Sequence, residues 1–94
     1  MIRLNAFFEL RDDVTLEQLT AITTPLVEQS RLDEGCRGYD LFQSTTSPQV
    51  FMFCESWDDD ACLAKHSAAP HFTTAVPQIG PLTKNGLKLE RYER

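Results

Sequence analysis

From Ile2 to Leu10 apolar and polar positions alternate. Ile2, Leu4, Ala6, Phe8 and Leu10 fall on one side, and Arg3, Asn5, Phe7 and Glu9 on the other. A period of two predicts a strand with one face buried. Asp12 and Asp13 make a turn, and Thr15 with Gln18 three residues on has the form of a capping box. Beyond it Leu16, Leu19, Ile22, Leu26 and Val27 recur at helical spacing, which predicts a helix from about Leu16 to about Leu32. Pro25 falls inside it, removes one backbone donor and predicts a kink. Asp33-Glu34-Gly35 stops the helix, with Gly35 suited to the left-handed position after its last turn.

Cys36 to Ser44 and Val50 to Trp57 read as the second and third strands, joined by a polar Thr45-Thr46-Ser47-Pro48 loop of hairpin composition. In the third strand Val50, Met52 and Cys54 share one face and Phe51, Phe53 and Trp57 the other, so both faces need cover. Asp58 caps a second helix, with Asp59 and Asp60 in its first turn beside the amide-rich end. Adjacent acids on a helix do not converge on an ion, so this run reads as a helix start and not as a metal site. The second helix carries the chain to His66, Pro70 opens a further turn, and Pro77, Gly80 and Pro81 end it. Leu82 to Tyr92 returns as a fourth strand with Leu87 and Leu89 on one side.

The order is β-α-β-β-α-β. It predicts an α+β, ferredoxin-like fold, a four-stranded antiparallel sheet with both helices on one face. The helix-free face then carries the apolar excess, and two sheets packed across a two-fold axis would bury it, which predicts a homodimer.

At 94 residues the chain makes one domain with a thin core. Its net charge of -5 comes from scattered acids, and Lys and Arg are nowhere clustered, which argues against a nucleic-acid partner. Cys36, Cys54 and Cys62 lack C-x-x-C spacing and suggest neither a disulfide framework nor a zinc site. No apolar run approaches the length that spans a bilayer, so no membrane partner and a soluble, cytoplasmic protein are expected.

Candidate chemistry concentrates between Glu55 and Phe72, which holds the only tryptophan and both histidines. His66 reads either as a half-buried helix residue bonded to a carbonyl or water, or as a base, since imidazole exchanges a proton near neutral pH without special tuning. His71 follows a proline on a bend and faces either the same pocket or solvent. A two-histidine metal site is disfavoured, because a spacing of five does not align on one helix face and no third ligand stands out. Trp57, Tyr39, Phe51, Phe53 and Phe72 pack first and touch a ligand second. Glu55, between Phe53 and Trp57, must be paired, exposed or functional.

Glu34-Gly35-Cys36-Arg37-Gly38-Tyr39, Glu55-Ser56-Trp57, and Ala64-Lys65-His66 followed by Pro70-His71-Phe72 together resemble the antibiotic biosynthesis monooxygenase domain and its small quinol monooxygenase-like members. The resemblance spans nearly the whole chain. It implies a dimeric α+β barrel, with a pocket between sheet and helices in each subunit. It also implies oxidation of electron-rich phenolic or quinol-type aromatics by dioxygen with no cofactor, although many members have no assigned activity. A haem-degrading branch has an iron-ligating histidine where this chain has Val76, a helix tryptophan at His66 and a first-strand asparagine near Phe8. Asn5 is close to that last position but on the opposite face, and with Val76 in place of the histidine the haem reading loses its iron ligand.

The expectation is therefore a cofactor-independent monooxygenase acting on a small aromatic. His66, ahead of His71, is the base, and Trp57, Phe72, Tyr39, Phe51, Phe53, Glu55 and Asn5 are candidate substrate contacts. The competing class is a dimeric domain that binds a small molecule, or merely pairs, without chemistry.

Overall fold

The computed structural model describes all 94 residues. Strand β1 (Ile2–Glu9) is followed by α1 (Leu16–Ser30), β2 (Cys36–Gln43), β3 (Val50–Trp57), α2 (Asp60–Ala68), α3 (Pro70–Ile79), a short 3-10 turn (Gly80–Leu82) and β4 (Lys88–Glu93). The four strands form one antiparallel sheet in the order β2-β3-β1-β4, the ferredoxin-like arrangement that the alternation predicts. Ile2, Ala6 and Phe8 of β1 and Phe51, Phe53 and Trp57 of β3 meet on one face, and Leu19, Leu26, Val27, Ala75 and Ile79 of the helices close over them.

The local chemistry accounts for each boundary. The Thr15 and Gln18 side chains cap each other's backbone, so two orphan amides at the start of α1 are satisfied together. The helix ends at Ser30, two residues short of Leu32, and Leu32 is exposed. Gly35 is left-handed, with φ of 76°, but it serves the turn into β2 and not the residue after the helix's last turn. There the chain runs so close to α2 that a Cβ on Gly35 would overlap Cys62 Sγ.

The cap of α2 is Asp59, whose side chain accepts from the Cys62 amide, while Asp58 instead forms a two-pronged pair with Arg37. The expected single second helix is two helices, because Pro70 forces Ala69 into extended backbone (ψ 147°) and then starts α3 as its first residue. Pro77 does not end α3 but lies inside it. The carbonyl it deprives of an amide partner belongs to Thr73, an exposed residue, so no buried acceptor is orphaned. Leu82 is in the 3-10 turn and β4 begins only at Lys88, with every residue exposed at the sheet edge.

Candidate functional site

On the helix side, the antiparallel register lays side chains in cross-strand rows. Leu41, Phe53, Ala6 and Leu89 make one row; Tyr39, Glu55, Leu4 and Arg91 make the next; Cys36, Trp57, Ile2 and Glu93 make a third. Between the first two rows and the helices lies a cavity of about 160 Å³. Ala6, Phe53 and Leu89 form its floor with Tyr39 and Glu55, while Leu26 of α1 and Phe72 and Val76 of α3 form its roof. Leu87 closes one end, and Leu89, 69% exposed at the edge strand, marks the mouth. All of these walls are hydrophobic except Glu55.

Glu55 is buried, and two residues along β3 Trp57 shares its face, so the indole Nε1–H donates to Glu55 Oε1 at 3.0 Å. Of the three alternatives open for this carboxyl, exposure is removed and a partner is found. Burial pushes its pKa above the ordinary carboxylate value, and the Trp57 hydrogen bond pulls part of the way back. The Tyr39 hydroxyl is pushed far up, first by burial and then by the nearby Glu55 charge, so it stays protonated.

His66 is not half-buried but only 1% exposed, and it stands behind the cavity wall instead of lining it. Its ring lies over Trp57 at a centroid distance of 4.5 Å, meets Phe72 near the perpendicular at 5.0 Å and Tyr39 at 5.3 Å. His66 Nδ1 and His71 Nε2 are each 2.8 Å from the same oxygen, Asp33 Oδ2. Burial lowers the His66 pKa against the opposing pull of Asp33. His66 Nε2 is buried with no hydrogen-bond partner.

His71 thus turns to Asp33 and to a broad groove of about 400 Å³ between α1 and α3, away from the aromatic cavity. Phe51 stacks on Phe8 at 5.5 Å outside the cavity, and Asn5 lies on the opposite, helix-free face between Cys54 and Glu90. Val76 puts an apolar side chain into the cavity at the position where the haem-degrading branch places its ligand. Asp33, in the sequence only part of a helix stop, carries no local signal that it meets both histidines. The objection to a histidine pair also needs correction: His66 and His71 sit on separate helices, so spacing along one helix does not govern them, and Asp33 is a third group within reach.

Fold and cavity together define a ferredoxin-like α+β domain with a small apolar site that holds one carboxyl. The family model described as antibiotic biosynthesis monooxygenase matches residues 1–78. The protein named "Putative monooxygenase YcnE" from Bacillus subtilis (strain 168) is 31% identical over 93 residues, covering 99% of this chain and 97% of its own. A crystal structure of an antibiotic biosynthesis monooxygenase superposes with a TM-score of 0.91 at 29% identity, covering 100% of this chain and 98% of the other. That of PA3566 from Pseudomonas aeruginosa does so at 0.87 and 30% identity, covering 99% and 92%. The chain belongs to the antibiotic biosynthesis monooxygenase family, and it is a monooxygenase-like domain.

Proposed function

We propose that this domain oxygenates a small, uncharged, electron-rich aromatic of about one ring, such as a hydroquinone, using dioxygen and no added cofactor. The observation that carries this reading is Glu55, the one carboxyl in an otherwise apolar cavity of about 160 Å³. That volume is below the roughly 300–1,000 Å³ of sites for larger ligands, and an apolar cavity of about 150 Å³ holds benzene. The aromatic walls Tyr39, Phe53 and Phe72 suit a ring, and an apolar chamber also admits dioxygen.

In this reading Glu55 removes a hydroxyl proton from the bound hydroquinone. A carboxylate of raised pKa is a stronger base toward a phenol than an ordinary one. Trp57 holds one of its oxygens and leaves the other for substrate. The electron-rich anion then reduces dioxygen directly. One oxygen atom enters the ring and the other leaves as water, so hydroquinone and dioxygen give hydroxybenzoquinone and water, and the four electrons come from the substrate. The sequence singles out His66 for the proton transfer. Its position behind Trp57 and Phe72 favours Glu55 for that step and leaves His66 to support the wall. We also read the helix-free face, where Phe7, Phe42, Val50 and Met52 surround a hollow of about 370 Å³, as the docking face for a second copy.

Oxygen uptake by purified protein over a panel of hydroquinones tests the reading. Turnover above the uncatalysed rate, lost by on the order of a hundred-fold or more in Glu55→Gln, is expected. No uptake with any of them would favour a binding domain without chemistry.

A further inference from the structure

We propose that Asp33, His66 and His71 form a binding site for one divalent transition-metal ion of the zinc class, behind the aromatic wall and separate from the Glu55 cavity. The three residues come from three elements, the turn after α1, α2 and α3. Their ligand atoms all lie within 4.8 Å of one another. Two imidazoles and a carboxylate are a donor set for zinc and its neighbours, whereas magnesium and calcium take oxygen ligands. Zinc bonds of about 2.0–2.2 Å put ligand atoms about 3.3 Å apart, so closing this set on an ion needs side-chain shifts on the order of 1 Å.

The far side of His66 bears on which of its nitrogens carries the hydrogen, and so on whether Nδ1 is free to ligate. If Nδ1 carries the hydrogen and donates to Asp33, then Nε2 presents a lone pair that is buried and without a donor, in a ring that packs against Trp57, Phe72 and Tyr39. Aromatic faces are negative and repel a lone pair, but they accept an N–H weakly. With the hydrogen on Nε2, that nitrogen suits its surroundings and Nδ1 turns its lone pair toward Asp33 Oδ2, 2.8 Å away. Two electron-rich atoms so close need either a further proton or a metal ion to join them, and only the metal ion also takes His71 as a ligand. His71 Nε2 is equally close to that oxygen and completes the set. The Asp33 and His71 side chains are each 19% exposed, and His71 borders the groove between α1 and α3, so an ion has an entry path and a water can fill a fourth position. An ion there would tie the turn, α2 and α3 together where Pro70 breaks the helix.

The test is metal binding itself, which needs no oxygen chemistry and so stands apart from the fate of the hydroquinone reading. Metal-stripped protein would be titrated with Zn²⁺ by calorimetry and with Co²⁺ by visible absorption, alongside His71→Ala and Asp33→Asn, each checked for folding by circular dichroism. One equivalent should bind and raise the melting temperature of the parent. Affinity should fall by at least about ten-fold in either folded variant, so failure of one variant to fold leaves the other to decide. The bound Co²⁺ should show d–d bands without thiolate charge transfer. Equal binding by parent and variants, no binding by the parent, or a thiolate band pointing to Cys36, Cys54 or Cys62 would each overturn the proposal.

Discussion

The indole of Trp57 donates to the buried carboxyl of Glu55 at 3.0 Å, so the only tryptophan of the chain holds the only carboxyl of its aromatic cavity. The burial of this carboxyl, which the Trp57 bond only partly offsets, sets a pH dependence with a definite sign. Burial raises the Glu55 pKa in the folded chain above its unfolded value, so the folded state binds the extra proton. The associated stability is fully present below the ordinary glutamate range and is lost as pH rises through the folded pKa. Glu55→Gln should therefore melt at or above the parent temperature at neutral pH. It should also flatten the decline in stability that the parent shows across that window. Thermal melts of both proteins from about pH 4, near the ordinary glutamate value, up to about pH 8 would check it, and an unchanged slope would remove Glu55 as its source.

The same shift predicts the activity profile. Base catalysis needs the ionised carboxyl, so kcat/KM for a hydroquinone should rise with pH through a value above the ordinary glutamate range. Trp57→Phe removes the donor that favours the ionised form, so it should move that inflection upward. It should also cost roughly 1–3 kcal/mol of stability by leaving a buried acceptor unpaired. An inflection that stays in place would detach the profile from Glu55.

Much of this was legible in the sequence. The period-two runs of Ile2–Glu9 and Val50–Trp57 mark β1 and β3, and Thr15 with Gln18 marks the start of α1. What stayed hidden depends on contacts between distant residues. Asp58 and Asp59 are equivalent as caps until Arg37, across the turn, claims Asp58. Pro77 reads as a stop unless the exposure of Thr73 is known. Asp33 meets His66 and His71 only because β2 and β3 intervene and return the chain to it. Leu87 and Leu89 alternate as a strand should, but they lie beside an edge whose outer neighbour is solvent, so their periodicity located the cavity mouth and not a covered core.

A glycine test probes the close approach of the turn to α2. Gly35→Ala combines a positive φ of 76°, which costs about 1–2 kcal/mol for a residue with a side chain, with a Cβ that overlaps Cys62 Sγ. Urea unfolding should show a loss larger than the backbone cost alone. Adding Cys62→Ala should recover only part of it, because the Cys62 Cβ itself would be 2.7 Å from the new methyl group. Full recovery would mean that the sulfur is the whole obstacle, and no recovery that the backbone strain and the Cys62 Cβ are.

The last prediction concerns the face that no helix covers. Phe42 is 52% exposed there and adjoins Phe7 and Met52 in one cross-strand row, while the row beyond it is polar, with Asp40, Cys54, Asn5 and Glu90. Apolar side chains gathered at one end of a sheet face mark the part that a partner would bury first, and a small domain gains core by burying it. Light scattering at micromolar concentration should report twice the chain mass. Phe42→Asp places a charge in that apolar row without touching the helix-side core, so it should shift the mass to that of one chain while circular dichroism stays unchanged. A parent that is already monomeric would sink the sheet-to-sheet arrangement. A Phe42→Asp variant that remains dimeric would place the interface elsewhere, with the exposed edge of β4, including Leu89 and Tyr92, as the next surface to mutate.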